Sequence, residues 1–81
     1  MRQTVGNIQG YDVIYIPEKD ILFCKNTAVS SKLLREALYG NLDRYNIPEK
    51  NLVIMKKGSI IKLGCLTTTI ENAKKILTNI N

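Results

Sequence analysis

The 81-residue chain contains no histidine, and its two cysteines, Cys24 and Cys65, each lie in or at the end of an apolar run. Without an imidazole, neither thiol has its usual base and no serine can complete a standard triad. Two cysteines without histidine also fall short of a four-ligand zinc site, so no metal is expected and the thiols read as small buried hydrophobes. Neither a Walker-type loop nor a Gly-x-Gly-x-x-Gly stretch is present, and no cofactor is implied. Among the carboxylates, those in the Pro17–Asp20 turn read as solvated, and Glu71 has a helix-capping role. Asp12 stands alone on an otherwise apolar strand. The expectation is a binding protein rather than an enzyme.

Binding chemistry is better represented. Residues 1–49 balance six basic against six acidic groups. Residues 50–81 hold Lys50, Lys56, Lys57, Lys62, Lys74 and Lys75 against Glu71 alone, so the whole net charge of +5 lies there. Such asymmetry points to an anionic partner, and Lys56, Lys57, Lys62, Lys74 and Lys75 are the candidates for holding an anion or a nucleic-acid backbone. Gly64, Thr67, Thr68 and Thr69 end a strand and open a helix, where free N–H groups and the positive dipole end suit a phosphate or nucleotide. Tyr11, Tyr15, Tyr39 and Tyr45 are suited to an interface with a protein partner or a second copy.

These groups need elements to carry them. Leu52–Met55 and Ile60–Leu63 are apolar runs separated by Lys56-Lys57-Gly58-Ser59, the pattern of an antiparallel hairpin. Thr68 followed by Glu71 reads as a capping box, and Ile70, Ala73, Ile76 or Leu77, and Ile80 then recur at helical spacing. Earlier, Gln3–Ile8 is a weak strand, while Tyr11–Ile16 and Ile21–Cys24 flank the Pro17 turn as stronger ones. Ser30 or Thr27 caps a helix with Leu33, Leu34, Ala37 and Leu38 on its apolar stripe, ending between residues 39 and 45, and Asn46–Lys50 forms a loop around Pro48. The expected core includes Val13, Ile14, Ile16, Ile21, Phe23, Leu34, Leu38, Val53, Ile54, Ile61, Leu63, Ala73, Ile76 and Leu77.

Strand–turn–strand–helix therefore occurs twice, at about 11–39 and 51–80. A second echo, Ile16-Pro17-Glu18-Lys19-Asp20 against Ile47-Pro48-Glu49-Lys50-Asn51, needs a different offset and reads as chance reuse of a turn. The expected fold is α+β within one domain of 81 residues. It is a two-layer sandwich of a four- to five-stranded antiparallel sheet with two helices on one face, in the order (β)ββαββα.

Apolar content of 44% is ordinary for a globular chain. Nothing approaches the roughly 20 apolar residues of a membrane span or the core of a signal peptide, so a cytoplasmic protein without a membrane partner is expected. The residues point to a small interaction module, self-associating or inhibiting a partner, of the kind mobile elements encode, with its basic half facing an anionic partner. Nucleic-acid binding through the lysine hairpin and second helix is the alternative, and a nucleotide or phosphate ligand at that helix's N-terminus is a further one.

Overall fold

A computed structural model of the chain describes residues 2–40, 43–47 and 52–80. Strands β1 (Gln3–Ile8), β2 (Tyr11–Ile16), β3 (Ile21–Cys24) and β4 (Thr27–Ser30) precede helix α1 (Ser31–Tyr39). Strands β5 (Arg44–Ile47), β6 (Leu52–Lys57), β7 (Ile60–Leu63) and β8 (Leu66–Thr69) precede helix α2 (Ile70–Thr78). The strands form two antiparallel four-stranded meanders in the orders β1-β2-β3-β4 and β5-β6-β7-β8. The protein is thus a small α+β fold with strand–strand–helix order repeated, as its patterning predicts, and the eight strands of the described residues divide between two sheets.

The repeat is close in geometry. From β3 through β4 to the end of α1, each position has its counterpart 39 residues later in β7, β8 and α2, as with Ser31 and Ile70, the starts of the two helices. Lys25 and Gly64 open equivalent two-residue turns, both in the left-handed region at φ 55° and 62°. Ser30 and Thr69 are both N-caps, accepting from Leu33 N and Asn72 N at 3.0 Å. Ser31 N donates to Asp20 O at 3.1 Å, and its counterpart Ile70 N donates to Ser59 O at 2.8 Å.

Three short segments differ from the sequence expectation. Residues 27–30 and 66–69 are strands rather than approaches to helices, because each tight turn sends the chain straight back along its predecessor. The cap of α2 is Thr69 paired with Asn72, not the Thr68–Glu71 box, since the helix starts at Ile70 and Thr69 is the residue that flanks it. Helix α1 ends at Tyr39 with Gly40 as its cap, within the expected range, but Tyr45 with Asn46 belongs to β5 rather than to a helix extension or loop. Ile47 of the expected loop also lies in β5, and the loop's remaining residues 48–50 lie outside the described residues.

One core serves both halves. A small cavity of about 20 Å³ is lined by Ile8, Val13, Leu22 and Val29 of the first sheet. Leu63 and Leu66 of the second, with Leu34, Ala73 and Ile76 of the helices, also line it. Ile54, Ile61, Ile76 and Val5 are the largest fully buried side chains. Five expected core residues do not join them: Ile14, Ile16, Ile21 and Val53 are half-buried, and Phe23 is 44% exposed. Side chains alternate across a strand, so with Val13, Tyr15, Leu22 and Cys24 pointing inward their neighbours must face out.

Helix α2 is locked to β1 of the other half. The pairing of β1 with β2 slips between Thr4 and Gly6, skipping Val5. Asn79 Nδ2 donates to Val5 O at 2.8 Å, and Asn72 Nδ2 donates to Asn7 O at 3.0 Å. At Gly6 the helix comes so close that an added Cβ would lie 2.5 Å from Ile76 Cγ1. Gly6→Ala should therefore destabilise the fold by about 1–3 kcal/mol through overpacking. Ile76→Ala alone should cost roughly 2–5 kcal/mol. In a denaturation double-mutant cycle the pair should cost clearly less than the sum. Additive losses would show that Gly6 does not act through Ile76.

Candidate functional site

The outward faces of the two sheets can be compared position by position, because the halves are equivalent. On the first sheet Ile14 lies opposite Phe23, and Ile16 opposite Ile21. Ala28 and Thr4 extend this ladder, opposite Phe23 and Ile14. Arg2 borders the same depression as Ile14, Ile16 and Phe23. On the second sheet Arg44 and Lys62 lie on either side of Met55, and Lys57 lies opposite Ile60. Matching the two, Phe23 corresponds to Lys62 and Ile16 to Lys57. One face is apolar; the other is a cationic surface with Met55 and Ile60 between its charges.

The five candidate lysines separate into different places. Lys57 and Lys62 share the outer face of the second sheet with Arg44, a cation that the sequence placed in the neutral half. Lys56 points inward, and its ammonium donates to Gly40 O at 2.9 Å. Lys74 lies 4.9 Å from the centroid of the Tyr39 ring, a cation–π contact, while Lys75 is exposed on the next position of α2.

Nor do the candidate phosphate residues converge. Gly64 lies in the β7–β8 turn, and its N–H donates to Val53 O at 2.9 Å. The helix start lies at the other end of β8, and its groups are engaged within the chain. Thr69 Oγ1 accepts from Asn72 N at 3.0 Å, Thr68 Oγ1 accepts from Asn72 Nδ2 at 2.8 Å, and Thr67 N donates to Gln9 Oε1 at 3.1 Å. The tyrosines also differ in role. Tyr15 is buried, and Tyr45 is half-buried with its hydroxyl donating to Glu36 O at 3.1 Å. Tyr11 is exposed with Lys25 over its ring at 5.0 Å, and Tyr39 is 64% exposed.

Sequence reasoning missed the surroundings of Tyr39. Two shallow clefts meet there. One, of about 280 Å³, is lined by Arg35, Tyr39, Lys74, Leu77 and Thr78. The other, of about 480 Å³, is lined by Lys32, Arg35, Glu36, Tyr39, Gly40 and Tyr45. The available signal was the helical stripe Lys32, Arg35, Tyr39, together with the 39-residue match of Arg35 to Lys74.

A polar cluster sits where the β2–β3 turn meets α1. Asp20, the last residue of that turn, adopts φ 52°. Its carboxylate accepts from the Tyr15 hydroxyl at 2.8 Å and from the Ser31 hydroxyl through a very short bond. The Ser31 bond, with help from Tyr15, holds the Asp20 carboxyl below its ordinary value, so it is not the ordinary solvated group expected of a turn. The same Asp20 bond raises the Tyr15 hydroxyl, because it favours the protonated phenol. A carboxylate held low is a weak proton acceptor, so the cluster's chemistry is that of a lock between turn and helix. Cys24 is buried, its thiol raised first by desolvation, whereas Cys65 is exposed rather than buried as expected. Among the described residues, no group of three His, Cys, Asp or Glu is placed to hold a metal, and no helix is long and apolar enough to cross a membrane.

Because its folded value is depressed, Asp20 contributes stability that is fully present above the unfolded value near pH 4 and is lost as pH falls through the lower folded value. Asp20→Asn should lower the melting temperature at pH 7 by roughly 4–8 °C. The gap to the parent protein should narrow steadily below about pH 4. A gap that stays constant from neutral to acid pH would mean that the Asp20 charge is not what stabilises the turn. Compared with protein families, with curated proteins and with solved structures, the chain matches none.

Proposed function

We propose that the protein is a non-enzymatic interaction module that associates with a second copy of itself through the outer face of its first sheet, with an anionic partner engaged elsewhere. The carrying observation is the contrast between equivalent positions. The fold accepts Lys57 and Lys62 on the second sheet, so nothing in the architecture requires Ile16 and Phe23 on the first. Yet Ile14, Ile16, Ile21 and Phe23 form one contiguous ladder there, with Phe23 44% exposed. Full burial of such a side chain is worth roughly 1.5–3 kcal/mol, and the part still exposed is the driving force for association. Two such faces meeting about a two-fold axis would make a closed, self-complementary dimer.

The repeat supplies the control. Phe23→Lys and Ile16→Lys introduce the residues that the second half carries at the same structural positions, so the monomer should keep its fold. At about 0.1 mM, where a micromolar interface is saturated, light scattering should give at least twice the chain mass for the parent protein. The double variant should give the mass of a single chain, with an unchanged circular dichroism spectrum. A parent that is monomeric under these conditions, or a variant that keeps the higher mass, would overturn the proposal.

A further inference from the structure

The cleft between the helices is a different surface from the apolar sheet face, and its chemistry is specific. Arg35 and Lys74 occupy equivalent positions of the repeat, as do Tyr39 and Thr78, and all four line the cleft of about 280 Å³. The cleft therefore straddles the relation between α1 and α2 and draws one cation from each helix. Its lining contains no acidic residue among the described ones. Among the described residues, Arg35 makes no direct ion pair or hydrogen bond, although its charge helps to hold the Asp20 carboxyl low, and Lys74 Nζ is engaged only by the Tyr39 ring, 4.9 Å away. The neighbouring cleft of about 480 Å³ shares Arg35 and Tyr39 and adds Lys32, but it also carries Glu36. Phosphate is thus favoured in the first cleft, with room beside Tyr39 for a planar group.

We infer that the α1–α2 cleft binds single-stranded nucleic acid, holding a backbone phosphate between Arg35 and Lys74 while a base stacks on Tyr39. The arrangement combines the two elements that sequence-tolerant strand binding requires, a cationic track and an exposed aromatic platform. The guanidinium offers a planar fork to phosphate oxygens, and the ammonium offers a point charge held close to the ring. The outer face of the second sheet has cations in Arg44, Lys57 and Lys62, but Met55 and Ile60 are its exposed apolar side chains and neither gives a base a π-face. The helices supply both parts; that sheet supplies one.

The test is fluorescence anisotropy with a labelled oligodeoxythymidine of about 12 nucleotides, a length within the usual single-strand site sizes. Measurements at about 50 and 200 mM salt should show weaker binding at the higher concentration. Tyr39→Ala should weaken binding by about 5- to 100-fold, whereas Tyr39→Phe should retain it. Arg35→Gln and Lys74→Gln should each reduce the slope of log affinity against log salt by about 0.7. Lys57→Gln with Lys62→Gln should leave affinity within about twofold, far less than a lost stacking platform. Melting curves of each variant establish that the fold is kept. Absence of binding at the lower salt would overturn the inference. So would binding that survives Tyr39→Ala and Arg35→Gln, or binding lost with the Lys57 and Lys62 substitutions. Equal affinity for thymidine monophosphate and the oligonucleotide would also overturn it, showing that the cleft takes a nucleotide rather than a strand.

Discussion

The structure depends on each half lending its helix to a core that neither half could close alone. A four-stranded meander buries one face, and a nine-residue helix covers too little of it. Here the inner faces of both sheets and the stripes of both helices meet around Leu22, Val29, Leu34, Leu63, Ala73 and Ile76. The contact of α2 with β1 makes this joint specific. Gly6 lets Ile76 approach the strand, and Asn72 and Asn79 satisfy carbonyls along it. Those side chains also cover the edge of β1, which would otherwise offer unpaired backbone groups to another chain.

The two halves solve equivalent local problems with different residues. Gly64 takes the left-handed turn position at no steric cost, whereas Lys25 holds it in the first half with its ammonium over Tyr11. At the matching C-cap positions, Asn79 reaches across to Val5. Gly40 instead leaves its carbonyl to Lys56, and a Cβ there would lie 2.5 Å from the Tyr45 hydroxyl. The Asp20 cluster has no charged counterpart, because Ser59 and Ile70 stand where the first half has Asp20 and Ser31. The backbone bond linking turn to helix is kept in both halves, and the carboxylate is an addition to it.

Residues free of these structural duties are the ones available for binding. Ile14, Ile16 and Phe23 lie outward on a sheet whose counterpart carries Met55, Lys57 and Lys62 in their place. Arg35 and Lys74 flank Tyr39 across the helix pair without forming an ion pair among the described residues. Apolar and basic–aromatic chemistry thus occupy separate surfaces, one on a sheet and one on the helices. A single small chain can present both because the shared core leaves each sheet's outer face and each helix's polar stripe uncovered.

The sequence by itself determined what local chemistry controls. Alternating and helical periodicities placed β1, β2, β3, β6 and β7 and both helices, and bounded α1 by a cap at Ser30 or Thr27 and an end between residues 39 and 45, within which the structure selects Ser30 and Gly40. The absence of histidine removed the common catalytic and metal-ligand constellations. Which face of a strand is buried was decided only by the tertiary structure. Ile21-Leu22-Phe23-Cys24 is apolar at every position, so composition cannot say that Leu22 and Cys24 turn in while Phe23 turns out. Strands β4 and β8 are weak on their own and exist because tight turns hold them against a formed neighbour, while β5 exists by pairing with β6. The candidate site was legible only in part. Lys74 and Tyr39 were visible as chemistry, but they lie in different halves, one basic and one neutral. Packing the two helices side by side, which depends on contacts far apart in the chain, brings them within 5 Å.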